Sequence, residues 1–94
     1  MYYTYVLYSL GDGRWYTGAT SNLSERVRDH ETGRVRSTCY RRPFRLVYDE
    51  ACRSEPDARR RKRYLKTGRG KRYIRQRLQA WLERISPDKL ERHL

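Results

Sequence analysis

The sequence predicts an α+β domain, with a small three-stranded antiparallel sheet flanked by helices in the order ββαβαα. Three observations support this fold class. Two runs of aromatic and β-branched residues flank a glycine-rich turn, two later segments begin with helix-capping residues, and one segment repeats apolar residues at helical spacing. Because strand-like and helix-like segments are interleaved along the chain, an all-helical module is excluded.

The first two strands are predicted to form a β-hairpin. They cover residues 2–10 and 14–20, and Gly11-Asp12-Gly13 lies between them. A two-residue turn would place Tyr5 and Tyr16 on the same face of the sheet, whereas a three-residue loop would place them on opposite faces. The sequence leaves this register open.

A helix is predicted next, over residues 23–32. Asn22 precedes it as a capping residue, and Glu25 occupies the reciprocal position of a capping box. Arg26 and His30 are four residues apart on this helix. Their side chains can therefore point toward one place.

One strand and two helices complete the predicted domain. After a polar, basic connection at residues 34–43, the sequence predicts a strand at 44–51 and helices at 55–66 and 70–85. Gly68 is interpreted as the end of the first of these helices. The apolar residues of the last helix fall on one face, which predicts a core face made of Ile74, Leu78, Trp81, Leu82 and Ile85.

Size and charge restrict the class of function. A chain of 94 residues holds one domain, which we place at residues 1–85, with residues 86–94 as a short helical extension of it. Lys and Arg total 23 against 11 Asp and Glu, and the resulting net charge of +12 attracts polyanions. Because no apolar stretch suits a membrane span or a signal peptide, we expect a cytoplasmic protein that contacts no membrane.

The basic charge is concentrated between Ala58 and Arg77, where eleven of twenty residues are Lys or Arg and none is acidic. Charge runs usually form a solvated helix face, but this density favours contact with phosphates. The predicted nucleic-acid-binding residues of this run are Arg59, Arg60, Arg63, Lys66, Arg69, Lys71 and Arg72. Lys62 falls on the inward stripe of its helix, either as a lysine whose head reaches water or as a group that faces a site.

Ordered motifs extend over about residues 2–75. They are Tyr3-Thr4-Tyr5, Tyr16-Thr17-Gly18, Asn22-Leu23 with Arg26 and His30, Thr38, Arg42-Pro43, Leu46-Val47-Tyr48, Glu50, and the stretch from Ala58 to Gly70. In this order and spacing they resemble the GIY-YIG endonuclease superfamily. The resemblance is to its small stand-alone bacterial members, which are similar to the excinuclease-type nuclease domain.

The resemblance implies the GIY-YIG fold and a phosphodiesterase that hydrolyses DNA with one divalent metal ion, Mg²⁺ or Mn²⁺. One of Tyr5 and Tyr16 would assist deprotonation of the attacking water. Arg26 would clamp the scissile phosphate, and His30 would act near the nucleophile as a hydrogen-bonding or base residue. Gly18 would let the backbone pass close to the substrate.

Position 62 departs from the family pattern. The pattern has a metal-binding glutamate there, whereas Lys62 carries an ammonium that has no lone pair for a metal ion. The resemblance therefore implies impaired cleavage in this chain. Three interpretations stay open: an engineered inactive variant, a natural relative that only binds nucleic acid, or a metal held by another carboxylate, namely Glu50, Asp57 or Glu55.

Two further hypotheses compete with the nuclease. One is a non-catalytic DNA- or RNA-binding module that keeps the basic face, and the other is a small RNA- or ribosome-associated basic protein. The sequence does not separate DNA from RNA, and it does not separate single-stranded, double-stranded and branched substrates.

Overall fold

The computed structural model describes residues 1–85, which form three strands and four α-helices. In chain order these are β1 (Tyr2–Ser9), β2 (Trp15–Thr20), α1 (Leu23–Glu31), β3 (Phe44–Cys52), α2 (Glu55–Leu65), α3 (Gly68–Arg77) and α4 (Gln79–Ile85), with a short 3₁₀ turn at Cys39–Arg41. The predicted α+β class with a three-stranded antiparallel sheet is confirmed. The helical extension predicted for residues 86–94 lies outside the described residues.

The sheet has the strand order β2-β1-β3, so β1 is its central strand. On one side of the sheet, Tyr5 and Leu7 pack with apolar residues of α1. On the other side, Thr4 donates a hydrogen bond to the Ala58 carbonyl of α2, and Val6 packs against α2 and α3. These four β1 side chains are at most 1% exposed, so the sheet separates two small cores.

The hairpin register places Tyr5 and Tyr16 on the same face of the sheet. Tyr5 pairs with Gly18, and Tyr16 lies two residues before Gly18 on β2. A backbone hydrogen bond between Ser9 and Arg14 closes the hairpin around a four-residue loop, 10–13, in which Gly13 supplies the positive φ of 71°. The loop is two residues longer than the two-residue turn considered above. Because side chains alternate with a period of two, this difference leaves each side chain on the face that the two-residue turn would give it.

The boundary between α2 and α3 differs from the prediction. Thr67 caps α3, because its side-chain oxygen accepts the Gly70 backbone N–H at 3.1 Å, and α3 therefore begins at Gly68. The prediction that Gly68 ends a helix and that the next begins at residue 70 was wrong, because the Thr67 cap starts α3 at Gly68.

The predicted last helix is divided at Leu78, whose backbone leaves helical geometry with φ −107° and ψ 11°. Ile74 and Leu78 are buried as expected, whereas Ile85 is 38% exposed. The predicted core face therefore does not extend to Ile85, although Leu82 of α4 still packs against the core cluster that holds Ile74 and Leu78. Trp81 of α4 packs edge-on against Tyr8 of β1. No helix within residues 1–85 is long and apolar enough to cross a membrane.

Candidate active site

Four of the predicted site residues lie together on the α1 side of the sheet. Tyr5 comes from β1, Tyr16 from the neighbouring β2, and Arg26 and His30 from successive turns of α1. The ring centroids of Tyr16 and His30 are 4.8 Å apart, and those of Tyr5 and Tyr16 are 6.4 Å apart. The hairpin register and the i, i+4 spacing on α1 together assemble this four-residue cluster.

His30 is fully buried and has a hydrogen-bond partner at each ring nitrogen. Nε2 lies 2.9 Å from the Tyr5 hydroxyl, and Nδ1 lies 2.8 Å from the Thr38 hydroxyl. Burial, followed by the nearby positive charge of Arg26, lowers the pKa of His30 to about 4. The imidazole is therefore neutral at pH 7, and the two bonds fit a ring whose Nε2 accepts a hydrogen bond from the Tyr5 hydroxyl and whose Nδ1–H donates one to Thr38.

Tyr5 keeps its proton at neutral pH. Burial raises the pKa of its phenol to about 12, although the charge and hydrogen bonding of Arg26 act in the opposite direction. A phenol in this state donates a hydrogen bond and does not act as a base. The Tyr5–His30 pair therefore positions its two rings but carries no charge.

Arg26 supplies the positive charge of the cluster. Partial burial acts to lower its pKa, but the phenol groups of Tyr5 and Tyr16 outweigh that effect and raise it. Within residues 1–85, no carboxylate forms an ion pair with Arg26. A half-buried guanidinium beside two phenols and without an acidic partner is suited to holding an anion.

The burial of neutral His30 makes folding stability depend on pH. Between pH 6.5 and about 4, the unfolded chain binds a proton at this residue that the folded chain does not. The free energy of unfolding is therefore expected to fall by about 3 kcal/mol as the pH drops through that window. Urea titrations at pH 7 and pH 4 measure this change. His30→Gln is expected to remove the part of the pH dependence that comes from His30. An equal pH dependence in both proteins would contradict the prediction.

Gly18 borders the four-residue cluster, and the Tyr5 side chain fills the space that a side chain at this position would need. A Cβ at this position would overlap with the hydroxyl and ring carbons of Tyr5, its cross-strand neighbour. Gly18 therefore makes room for the Tyr5 ring. The close approach of the protein backbone to the substrate, which the resemblance implies for Gly18, stays a separate prediction.

By helical phase, Lys62 shares a flank of α2 with Glu55 and Arg59, which border the edge strand β2. Ala19 and Thr20 of β2 line a groove of about 210 Å³ with Glu55 and Arg59 of α2, and Lys62 follows Arg59 by one turn on the same flank. α2 and α1 pack on opposite sides of the sheet. The strand β2 therefore lies between the flank of α2 that carries Lys62 and the four-residue cluster.

Four cations form a basic stripe along this flank, with spacing i, i+3, i+4 and i+7. Burial, followed by repulsion from its three neighbours in the stripe, lowers the pKa of Lys62. The members of the basic stripe are Arg59, Lys62, Arg63 and Lys66.

All seven predicted nucleic-acid-binding cations are exposed, on α2, at its C-terminal cap and on the first turns of α3. The charge count of the sequence missed that three cations of the run are paired with acidic residues outside it, Glu50, Glu55 and Asp57. Glu55 and Asp57, just before the run, form ion pairs with Arg59 and Arg60. Exposed pairs of this kind contribute little to stability, so both arginines can exchange their partners for phosphates.

The carboxylates considered as substitute metal ligands are occupied by cations. Arg61 lies on the opposite flank of α2 and binds Glu50 of β3 at 2.6 Å, while the Tyr48 hydroxyl donates to the second Glu50 oxygen at 2.7 Å. Glu55 and Asp57 are held by the arginines just named. Among the described residues, no three His, Cys, Asp or Glu side chains gather where a metal could bind. The residues present in this part of the chain do not fit a divalent metal ion.

Thr38 is a site residue to which the sequence analysis gave no role. It is fully buried, and its bond to Nδ1 orients the His30 ring. Its only sequence signal was its place among the ordered motifs.

Comparison with known proteins finds a match of residues 1–75 to the family model described as the GIY-YIG catalytic domain. The UPF0213 protein of Desulfotalea psychrophila is 36% identical over 67 residues, covering 69% of this chain and 60% of that protein. The UPF0213 protein of Staphylococcus haemolyticus is 37% identical over 67 residues, covering 70% and 80%. The solution NMR structure of the UPF0213 protein from Bacillus halodurans is 36% identical, covers 79% of this chain and 82% of that one, and has a TM-score of 0.48. The chain spans only 60% and 61% of the first two curated relatives, the second being from Halalkalibacterium halodurans.

Proposed function

This chain belongs to the GIY-YIG family, a family of nucleases that are generally metal-dependent, and we propose that it binds nucleic acid through a phosphate site centred on Arg26. We propose further that Lys62 impairs metal-dependent cleavage. The observation that carries the proposal is the half-buried Arg26 guanidinium, which lies beside the phenols of Tyr5 and Tyr16 without an ion-pair carboxylate among residues 1–85. A phosphodiester oxygen is a natural partner for such a group.

Arg26 supplies the positive charge of the four-residue cluster, while the Asp29 carboxylate acts on His30 from the same helix. Tyr5 and His30 are uncharged at pH 7, because their pKa values lie near 12 and 4. The cluster therefore keeps the positive charge of Arg26, and the Tyr16 hydroxyl can donate to a phosphate oxygen.

The basic stripe supplies the longer-range part of the binding. Burial, followed by repulsion among the four cations, lowers the pKa of Lys62, and a bound phosphate chain relieves that repulsion. DNA is the partner we propose first. Both the stripe and the Arg26 cluster border β2, so one strand that crosses this edge of the sheet can contact both.

Two features support impaired cleavage. Lys62 occupies the position at which the family pattern has its metal-binding glutamate, and the nearby carboxylates are paired with arginines.

Cleavage by the parent chain and by Lys62→Glu tests the proposal. Labelled single-stranded, double-stranded and branched DNA is incubated with Mg²⁺ or Mn²⁺, and products are separated on denaturing gels. We expect the parent to bind DNA and cut it poorly. Lys62→Glu is expected to cut at least about 100-fold faster, because it restores a carboxylate ligand at the place the family uses.

Lys66→Glu is the matched control, since it makes the same charge change one turn further along the basic stripe. It is expected to weaken binding without adding cleavage. A parent that cuts as fast as Lys62→Glu would show that another carboxylate holds the metal, and would overturn the impairment. If neither chain cuts while both bind, the non-catalytic binding module replaces the nuclease.

A further inference from the structure

The loop between α1 and β3 carries an aromatic side chain that is exposed to solvent. Hydrogen bonds hold the loop itself in place. We call residues 34–43 the arginine loop, since it contains Arg34, Arg36, Arg41 and Arg42 and no acidic residue. Near its middle, Tyr40 is 96% exposed, while the next most exposed large apolar side chain in the described chain, Met1, is at 62%.

Hydrogen bonds hold the residues on both sides of Tyr40 in place. Thr38 is bound to His30 in the candidate active site. The Ser9 hydroxyl donates to the Arg41 carbonyl at 2.5 Å, and the Arg41 guanidinium forms an ion pair with Asp12 at 2.6 Å. The ring is therefore presented by a preorganised support, which lowers the entropy cost of binding through it.

The loop that carries the ring also carries positive charge. Arg36 and Arg42 are exposed on the same loop, and the Arg34 side chain is 74% exposed, with only a 3.7 Å contact to Asp29. An exposed aromatic ring among arginines matches the chemistry of a nucleic-acid strand, in which bases stack on the ring while the cations neutralise the phosphates.

We propose that Tyr40 stacks on an unpaired base of the strand whose phosphate lies at Arg26, so that the substrate class is single-stranded nucleic acid or a junction with unpaired nucleotides. This inference rests on the proposed phosphate site. Two residues of chain span at most about 7 Å, so the Tyr40 backbone lies close to Thr38 and hence to the cluster. A base inside a duplex has both faces covered by its neighbours, and only an unpaired base offers a face to the ring.

Binding by Tyr40→Ala and Tyr40→Phe tests the inference. Fluorescence anisotropy is measured with a labelled single strand and with the duplex of the same sequence. Tyr40→Ala is expected to weaken single-strand binding about 5- to 150-fold, the range for loss of one stacked base. Tyr40→Phe keeps the ring and is expected to bind like the parent. Duplex binding is expected to change little in either variant.

Salt titration and an abasic strand separate stacking from a general loss of binding. Tyr40→Ala is expected to keep the parental slope of log K against log salt, whereas Arg36→Ala is expected to reduce that slope by about 0.7. With a strand that carries an abasic residue at the stacked position, parent and Tyr40→Ala are expected to bind equally. Equal losses on single strand and duplex, or no loss on the single strand, would overturn the inference while leaving the Arg26 site intact. A parent that binds no nucleic acid would overturn both.

Discussion

Replacing Gly70 with alanine is expected to destabilise the domain by about 3 kcal/mol or more, a large part of the roughly 5–15 kcal/mol that holds a typical domain together. A Cβ at this position would overlap with the Tyr64 carbonyl and the Leu65 Cα. Because both are backbone atoms of α2, no side-chain rotation relieves the overlap. The start of α3 would have to move away from α2, and urea denaturation followed by circular dichroism measures the cost.

Gly68 provides the matched control for this substitution. It lies two residues earlier in the same helical turn, and a Cβ there would meet no atom within 4 Å. Gly68→Ala is therefore expected to be neutral or to stabilise the domain by up to about 1 kcal/mol, since alanine restricts the unfolded chain. If both variants unfolded at the same urea concentration, the close approach of α2 and α3 at Gly70 would be wrong.

These two glycines also show where sequence reasoning reached its limit. Glycine commonly follows the end of a helix, and Gly68 was interpreted in that way. The same residue lies at the start of α3, where the Thr67 cap and the contact of Gly70 with α2 decide the boundary. By contrast, Asn22 caps α1 as predicted, since its side chain accepts the backbone N–H three residues on. Local signals were sufficient where the capping interaction itself was local.

The arrangement of the candidate site was likewise predictable only where it depends on local spacing. The spacing of Arg26 and His30 on one helix placed both at the cluster without knowledge of the fold. The facing of Tyr5 and Tyr16 depended on the length of the hairpin loop, and the sequence allowed two answers. The bond from Thr38 to His30 starts in an irregular loop, for which no periodic pattern exists. The Arg61–Glu50 ion pair joins a helix to a strand and required the tertiary structure.

Arg26→Ala is expected to lower the rate of phosphodiester cleavage about 100- to 1,000-fold in whichever of the parent and Lys62→Glu chains cuts. The proposed role of the guanidinium is to stabilise the charge that develops on the phosphate oxygens. Loss of that interaction raises the barrier more than it weakens ground-state binding, so DNA affinity is expected to fall less than about tenfold. Single-turnover cleavage and anisotropy measure the two quantities separately.

Arg28→Ala removes the same charge from an exposed position two residues further along α1, and it serves as the control. It is expected to lower affinity slightly and to leave the single-turnover rate unchanged. Helical geometry explains the difference, because positions two apart point to nearly opposite sides of α1 and only Arg26 reaches the phenols of Tyr5 and Tyr16. If both variants lost the same factor in rate, the effect of Arg26 would be one of net charge, and its assignment as the phosphate-binding residue would be wrong.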